Sequence, residues 1–308
     1  NRRVLEPHLN DPKQPLSLAF AIPDHPWVDA SDGAAVRIAM TVGVAGEQQG
    51  RLMTSLKESE TQTDEIKVDF QSRQGKLFAD LKIGADVANA KPLQANLDLT
   101  SMGVMLAGAG FIITDEEYSS RIGRFTEQEL TRVKGYCNGK DLAAKSRNAR
   151  VIDLFGLNED ELITAVPNLY QLIRDRVYPE RSVNRDKGFR EKWWLFGRSR
   201  PSLREMTAGL PFFLACGETA KHRFLVTLDS RILPDHMVIG FGLDRFDYLG
   251  ILSSRLHICW ALAAGGTLED RPRYNKSVCF ETFPFPDLSG PENEKLAARI
   301  GQLAEQID

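Results

Sequence analysis

A run of basic side chains with interleaved aromatic residues lies in the middle of this sequence. Between Arg174 and Arg204, ten lysines and arginines against four acids give a local charge of +6, in a chain whose net charge is −3. Guanidinium groups bind phosphate oxygens in pairs, and aromatic rings can stack on nucleobases. A solvated helix face with two core tryptophans is the alternative. If this segment binds nucleic acid, the cations that would contact it are Arg185, Lys187, Arg190, Lys192, Arg198 and Arg200, and the aromatic residues are Phe189, Trp193, Trp194 and Phe196.

Two shorter basic clusters lie further along the chain. Lys221, His222 and Arg223 crowd at the entrance of a predicted strand, which favours an anionic partner because like charges repel. An exposed sheet edge that uses charge to prevent aggregation is the alternative. The second cluster lies in a turn-rich segment, where such side chains can read base edges and where a solvated turn fits equally well. It consists of Arg273, Asn275 and Lys276.

Other patterns that could carry chemistry are incomplete. The segment Ala107-Gly-Ala-Gly-Phe111 is like the glycine-rich turn that receives S-adenosylmethionine or a dinucleotide, but it lacks the third glycine and a correctly spaced acidic residue. The five histidines show no metal-ligand spacing, and Asp235 and His236 near Ser230 lack a nucleophile elbow. The sequence therefore predicts no catalytic residue, no bound cofactor and no metal site in this chain.

Composition indicates a globular chain. Its 308 residues are 42% hydrophobic and 26% charged, which allows one large domain or two of ordinary size. No apolar run approaches the roughly 18 residues of a membrane span, and no signal peptide is evident. We expect a cytoplasmic protein without a membrane partner, and Asn1 suggests a piece of a longer chain. The cysteines form no CxxC pair and are expected to be reduced and mostly buried; they are Cys137, Cys216, Cys259 and Cys279.

The first half contains the pattern of a β-hairpin. Leu18–Ile22 is a short apolar run, and residues 36–42 alternate between large apolar side chains and small or polar ones, with a polar turn at 29–33 between them. Residues 43–64 are polar and predict a long loop. A helical stretch is expected to begin at Phe125 and to lead to a glycine-containing turn near residue 139.

The second half shows clearer helix signals. Asn158 and Glu161 have the spacing of a capping box, and Pro167 predicts a break into two short helices. Strands are predicted at His222–Asp229 and Met237–Phe241, followed by a single helix that Asp244 caps and that ends at Gly265 and Gly266. A final amphipathic helix follows Pro286, and its apolar face is expected to hold Leu296, Ile300, Leu303 and Ile307.

Several long segments of the second half also resemble a known family. The segments are Glu218–Arg223, Ile232–Asp235, Gly250–Arg255 with Trp260, Phe280–Pro286, and more weakly Tyr136–Asp141, Tyr178–Arg181, Phe189–Trp194 and Arg273–Lys276. They resemble the target-recognition domain of class I adenine-specific DNA methyltransferases of type II restriction–modification and related phage-defence systems. Residues 19–27 and 34–39 look like the last hairpin of the Rossmann-like methyltransferase sheet.

The resemblance implies one part of a two-part enzyme. In this family a catalytic domain binds S-adenosylmethionine and flips the target adenine out of the duplex. The chain contains no Pro-Pro dipeptide, so the family's catalytic Asn/Asp-Pro-Pro-Tyr/Phe motif is missing, as is the cofactor's glycine-rich motif. No catalytic residue can therefore be assigned. The implied partners are double-stranded DNA, the missing catalytic methyltransferase domain, and a nuclease domain or subunit.

Together these observations predict an α+β fold with mixed sheets. Residues 1–125 are expected to be the end of the methyltransferase domain with a connector, and residues 126–308 a target-recognition domain with a helical tail. In that domain the basic residues of the central segment and of the 221–223 cluster would contact mostly phosphates, and the 273–276 cluster would read bases. The rival hypothesis is a protein-interaction module whose basic segment docks an acidic partner.

Overall fold

The computed structural model describes residues 2–27, 36–60, 66–268 and 271–308. Within these residues the fold is α+β with mixed sheets, as predicted. The chain divides into two compact units, residues 1–90 and 91–308. No helix in the described ranges is both long and apolar enough to cross a membrane, and none of their histidine, cysteine and acidic side chains group into a potential metal site.

The first unit is built on a four-stranded sheet with strand order β2-β1-β3-β4. Strands β1 and β2 form the predicted antiparallel hairpin, paired from Leu16 with Ala45 to Trp27 with Val36. The turn predicted at 29–33 lies outside the described residues. Strand β1 also pairs in parallel with β3, which pairs in turn with β4. The bounds are α1 (Arg2–Leu9), β1 (Leu16–Trp27), β2 (Val36–Ala45), β3 (Gly50–Glu60) and β4 (Ile66–Gly75).

The long loop predicted at 43–64 is wrong, because β3 and the end of β2 occupy most of that segment. Only Leu52 in β3 is a buried large side chain, and it joins a small core with Leu18 and Leu77. The other described side chains of the strand are exposed or half-buried, which is why its sequence is polar. Backbone pairing with β1 and β4 holds the strand in place, and a Cβ atom at Gly50 would meet the Leu18 carbonyl oxygen at 1.9 Å.

The second unit contains two four-stranded sheets and one small hairpin. Strand order is β10-β9-β12-β5 in the antiparallel sheet and β11-β7-β8-β6 in the mixed sheet, where β11 and β7 are parallel. The strand bounds are β5 (Thr100–Met102), β6 (Ile112–Ile113), β7 (Val133–Cys137), β8 (Arg150–Ile152), β9 (Phe212–Gly217), β10 (Val226–Asp229), β11 (Ile232–Pro234), β12 (Val238–Phe241), and the hairpin β13 (Gly266–Leu268) and β14 (Arg271–Arg273).

Helices of the second unit cover these sheets. Their bounds are α2 (Asp115–Arg121), α3 (Glu127–Arg132), α4 (Gly139–Ala143), α5 (Glu159–Ala165), α6 (Pro167–Ser182), α7 (Lys187–Glu191), α8 (Pro201–Thr207), α9 (Phe246–Ser253), α10 (Arg255–Ala264), α11 (Lys276–Cys279) and α12 (Pro291–Glu305). The helix predicted from Phe125 is confined to α3, and the chain continues as strand β7.

The predicted domain boundary at 125/126 lies inside this second unit. Strand β5 pairs with β12, and β6 pairs with β8, so residues between 91 and 125 supply an edge strand to each sheet. The two compact units therefore divide at 90/91. Sequence patterns alone do not reveal such pairings, because the edge strands are only three and two residues long.

The local helix signals have mixed outcomes. The capping box at Asn158 and the helix break at Pro167 are confirmed. The single helix predicted after Asp244 is wrong, because the chain becomes extended at Ser254, whose side chain caps α10. Strand β12 agrees with its prediction to within a residue, whereas β10 begins only at Val226.

The final helix exists, but its predicted apolar face is largely exposed. Leu296, Leu303 and Ile307 are exposed, while Ala297 and Ala304 are buried. Helix α12 packs on α9, where a Cβ atom at Gly250 would meet the Ile300 side chain at 2.5 Å. Small residues therefore line the contact because the two backbones approach closely.

Arg181 is a buried guanidinium near the end of α6 that holds several segments together. It donates to the carbonyl oxygens of Leu106 and Ala107 on one side and to those of Trp193 and Leu195 on the other. Its guanidinium lies 5.1 Å from the ring centroid of Phe111 and 4.6 Å from that of Phe189. None of the described carboxylates forms an ion pair with it, and burial lowers the pKa of Arg181.

We predict that Arg181→Met destabilises the second unit by about 3 kcal/mol, because four backbone carbonyl oxygens in buried or part-buried contacts each lose a donor. The exposed Arg185→Met is the matched control and should change stability by less than about 0.5 kcal/mol. Urea unfolding followed by tryptophan fluorescence measures both, since Trp193 and Trp194 lie in the same core. An unchanged midpoint for Arg181→Met would show that the carbonyl oxygens find other donors.

Candidate nucleic-acid interface

Five backbone segments of the second unit lie side by side and carry the candidate residues. Met105 exchanges hydrogen bonds with Arg198, and Val104 forms a bridge to Asp235. The Glu218 amide donates to the Met237 carbonyl oxygen at 2.7 Å. A last bridge joins Thr219 to Arg273. The order of segments is therefore 197–199, 103–105, 234–238, 217–219 and 271–274. The segments that lead to the 221–223 and 273–276 clusters are neighbours, and the segment of Arg198 lies at the other end of the row.

The clusters at 221–223 and 273–276 are the two that the structure brings together. The Ala220 amide donates to the Pro272 carbonyl oxygen at 3.4 Å, and the Tyr274 amide donates to the Glu218 carbonyl oxygen at 2.7 Å. These bonds seat the hairpin β13–β14 beside the loop that leaves β9. Lys221 and His222 are exposed on that loop.

Arg223 has a structural position in this arrangement. Its guanidinium donates to the carbonyl oxygens of Gly217 and Pro272 and lies 5.1 Å from the ring centroid of Tyr274. It thus connects the end of β9 to β14 across the 219–223 loop. Because Arg223 is half-buried and makes these contacts, its main role is to order the loop. Its charge is less available to a ligand than those of its exposed neighbours.

The three candidate base readers already have partners. Arg273 is exposed and pairs with Glu218, with Nε and Nη2 at 2.8 and 2.7 Å from the same carboxylate oxygen. Asn275 caps α11 by accepting from the Ser277 amide, and its side chain is exposed. Lys276 Nζ lies 2.9 Å from a carboxylate oxygen of the buried Glu281. Arg273 and Asn275 can reach a ligand, whereas Lys276 is turned toward its carboxylate.

A buried polar chain supports this hairpin from below. The Tyr274 ring is almost fully buried, and its hydroxyl lies 3.1 Å from Nε2 of His257. The Nδ1 atom of His257 lies 2.7 Å from the Leu252 carbonyl oxygen, which requires a proton on Nδ1. Nε2 is then an acceptor for the Tyr274 hydroxyl. Burial lowers the pKa of His257 to about 4, so the ring is neutral in the folded protein near pH 7.

Arg198 and Arg200 form a concentrated positive charge beside the 103–105 segment. Arg198 is exposed, while Arg200 is half-buried and donates from Nε to the Gly103 carbonyl oxygen at 3.2 Å. Burial and the charge of Arg198 lower the pKa of Arg200. In the described part of the chain neither side chain forms an ion pair with a carboxylate. Arg200 also holds a left-handed backbone conformation, φ 50°, which is uncommon for a residue with a side chain.

The cations of the 185–192 segment lie on and around the short helix α7. Arg185 and Lys192 are exposed, and Lys187 makes only a loose pair with Glu191 at 3.5 Å. Arg190 donates to the carbonyl oxygens of Asn184 and Arg185, so it closes the turn before the helix.

The predicted stacking of bases on the central aromatic residues is wrong for three of the four. Trp193, Trp194 and Phe196 are buried in the core beneath the mixed sheet. Phe189 is half-buried and covers the Arg181 guanidinium. The aromatic residues of this segment are therefore part of the support for the cations.

Sequence reasoning missed the contact between Asp235 and Tyr136, which ties strand β7 to the turn between β11 and β12. Asp235 accepts at Oδ2 from the Tyr136 hydroxyl at 2.7 Å and contacts Nδ1 of His236 at 3.0 Å. Its amide donates to the Cys137 carbonyl oxygen at 2.7 Å. Burial, and then the Asp235 contact, raise the pKa of Tyr136, so its hydroxyl keeps its proton. The partners are about a hundred residues apart in the sequence, so no local pattern signals the contact.

The glycine segment at 107–111 does not fit S-adenosylmethionine. Residues 109–111 form a short 3₁₀ turn against α6, where a Cβ atom at Gly110 would meet Val177 at 2.8 Å. The Ala107 carbonyl oxygen accepts from Arg181. The segment is therefore packed by the chain itself, and the strand–turn–helix of a cofactor site is not formed there.

Comparison with known proteins associates the second unit with restriction–modification enzymes. Residues 222–287 match the family described as "MmeI, target recognition domain". A segment of 57 residues is 37% identical to DNA methyltransferase A of Bacillus subtilis (strain 168), which amounts to 18% of this chain and 6% of that protein. These matches confirm the resemblance to the target-recognition part of restriction–modification enzymes.

Solved structures add the likeness of the fold. The type IIL restriction–modification enzyme MmeI, solved in complex with DNA, matches with a TM-score of 0.68 at 18% identity, over 92% of this chain and 37% of its own. The type IIG restriction endonuclease BpuSI reaches a TM-score of only 0.34 at 11% identity, below the level of a shared fold. The present chain thus has the fold of about a third of the MmeI chain.

We predict that acid weakens the support of the hairpin through His257. Its folded-state pKa of about 4 lies below the ordinary value of 6.5, so its contribution is present above about pH 6.5 and is lost as the pH falls toward 4. The free energy of unfolding should fall by about 2 kcal/mol between about pH 7 and pH 4.5.

The matched variants are His257→Gln and His222→Gln, measured by urea unfolding at both pH values. His257→Gln should remove most of the loss in stability, whereas the exposed His222→Gln should retain it. An equal loss of stability in all three proteins would contradict the assignment to His257.

Proposed function

We propose that this chain recognises a specific sequence in double-stranded DNA on behalf of a restriction–modification methyltransferase. The proposal is carried by residues 222–287, which match the target recognition domain. This stretch contains the hairpin β13–β14 and the end of the basic loop at His222 and Arg223. The backbone bridge between Thr219 and Arg273 holds the loop beside the hairpin. Side chains that could read bases are thus placed beside cations that could bind phosphates. The protein-interaction alternative has no comparable observation in its favour.

Phosphate contacts in this proposal come mainly from cations without a carboxylate partner. Arg198 and Arg200 repel each other, and that repulsion is relieved when a phosphate lies between or beside them. Lys221 and His222 lie on the far side of the same set of segments. Around α7, Arg185, Lys187 and Lys192 extend the positive surface. Such contacts fix the position of the domain on the duplex without reading the sequence.

Base reading in this proposal belongs to the hairpin. Arg273 and Asn275 are exposed, and their side-chain types form the usual two-bond contacts to guanine and adenine in the major groove. Glu218 holds the Arg273 guanidinium in a fixed position before DNA arrives, which lowers the ordering cost of binding. Because Tyr274 is buried between these two residues, the backbone that carries them is rigid.

The methylation step is assigned to chain outside this sequence. We propose that the parent protein methylates adenine, with S-adenosylmethionine bound by a catalytic methyltransferase domain that this chain lacks. That domain and, in the parent system, a nuclease domain or subunit would be its protein partners. This division is supported by the missing catalytic and cofactor motifs and by a chain that spans 37% of MmeI. What the present residues do is bind and orient the duplex so that the target base lies at a fixed place.

The experiment that tests the proposal is fluorescence anisotropy of this chain with a random-sequence duplex, titrated at several salt concentrations. Each neutralised phosphate should add about 0.9 to the slope of log affinity against log salt concentration. A slope that corresponds to several neutralised phosphates supports the proposal. Tight binding to an acidic protein, with no binding to DNA at low salt, would favour the interaction module instead.

We predict that the double variant Arg198→Ala/Arg200→Ala lowers that slope by about 1.8, because two phosphate contacts are lost. The matched control is Arg231→Ala, an exposed arginine whose charge is already paired with Asp229. It should leave the slope unchanged. Equal slopes for the double variant and the native protein would remove Arg198 and Arg200 from the interface.

We predict that Arg273→Ala relaxes sequence preference at one base pair. If Arg273 pairs with a base, its loss should cost about 1–3 kcal/mol on the preferred site and much less on random DNA. Selection of bound sequences from a random pool, followed by competition titrations, measures this difference. A uniform loss of affinity across all sequences would make Arg273 a phosphate contact.

A further inference from the structure

His236 occupies the middle one of the five adjacent backbone segments. Its segment, 234–238, lies between 103–105, which is bonded to Arg198 and Arg200, and 217–219, which leads to Lys221 and His222. The His236 side chain is 44% exposed, so it can be reached from solvent. Cations proposed to bind phosphate therefore lie on both sides of an accessible histidine.

Asp235 fixes the orientation of the His236 ring. The Oδ2 atom of Asp235 contacts Nδ1 of His236 at 3.0 Å, and the same oxygen accepts from the Tyr136 hydroxyl at 2.7 Å. The other carboxylate oxygen accepts from the Met237 amide at 3.0 Å. The carboxylate is only 15% exposed and is held at three points, so it cannot turn away from the ring.

This arrangement leaves Nε2 as the ring atom available to a ligand. A carboxylate is an acceptor, so Nδ1 carries a proton, and Nε2 becomes a donor when the ring is protonated.

Other charged groups near this position are already balanced. Asp141, beyond Tyr136, is paired with Arg147. On the opposite side, the Glu218 carboxylate is paired with Arg273. Asp235 is thus the charged group in direct contact with His236 among the described residues.

We propose that His236 is a further DNA-binding residue, which contacts a backbone phosphate of the duplex through Nε2 when its imidazole ring is protonated. The proposal rests on the proposed function and adds to it a residue and a dependence on pH. Binding to DNA takes up a proton, so affinity rises as the pH falls below neutrality. At alkaline pH the neutral ring offers an acceptor to the phosphate and the contact is lost.

The test compares the salt dependence of DNA binding at about pH 6 and about pH 8, where histidine changes its charge. The starting protein is His222→Gln, which removes the other exposed histidine of the interface. His257 stays neutral over this range because its pKa is about 4. A random-sequence duplex is the probe, and the second protein carries His222→Gln together with His236→Gln.

In the His222→Gln protein, the salt slope should be larger at the lower pH by up to about 0.9, with about five-fold tighter binding. Adding His236→Gln should abolish both differences and leave binding at the higher pH unchanged. Asp235→Asn should weaken binding at the lower pH in the same direction as His236→Gln, because the ring loses the carboxylate contact that orients it. Its Oδ1 atom can still accept from the Met237 amide.

The possible outcomes separate this inference from the proposed function. A pH dependence that survives His236→Gln, or salt-dependent binding without any pH dependence, overturns the role of His236 and leaves DNA recognition intact. Absence of DNA binding at both pH values and at low salt overturns the proposed function itself. Loss of binding at both pH values in the His236→Gln protein alone assigns His236 to the support of the fold.

Discussion

The second unit depends on one buried guanidinium. A charge as inaccessible as that of Arg181 must be compensated, and here four backbone carbonyl oxygens and two aromatic faces do so. Because the acceptors belong to two separate segments, 106–107 and 193–195, the residue fixes the distance between them. Residues 106–107 directly follow Met105, whose backbone exchanges hydrogen bonds with that of Arg198, and residues 193–195 lead into Arg198 along the chain.

The basic residues of this protein therefore have two different roles. Arg181 and Arg223 donate to backbone carbonyl oxygens and hold loops together. Arg198, Arg200 and Lys221 have no such complete set of internal contacts and present charge to the surroundings. A count of lysines and arginines in the sequence merges these roles, although only the second contributes to attraction of a polyanion.

Local signals in the sequence predicted local structure well. The capping box at Asn158 and the break at Pro167 depend on residues within one or two turns, so their side-chain chemistry is sufficient. The hairpin of β1 and β2 follows from alternation. Strand β3 was missed because only Leu52 is buried in it, so its side chains carry almost no pattern.

For the interface, sequence indicated the basic clusters but not their arrangement. The resemblance identified Glu218–Arg223 and Arg273–Lys276 as parts of one domain, and the bridge between Thr219 and Arg273 brings them together. The alternative of two core tryptophans was closer to the truth than base stacking, because burial is decided by distant elements. The sequence showed Asp235 and His236 only as an incomplete triad, and it gave no sign of their contact with Tyr136, which lies about a hundred residues away on the neighbouring strand β7.

The way in which Tyr274 is buried has a consequence for how such a domain changes over generations. Its ring and hydroxyl are fixed by the core through Phe241 and His257, while the residues on either side of it point outward. Substitutions at positions 273 and 275 can thus alter what the hairpin touches without altering where the hairpin lies. One inherited scaffold can accumulate many different preferences, each separated from the next by very few nucleotide changes in its gene.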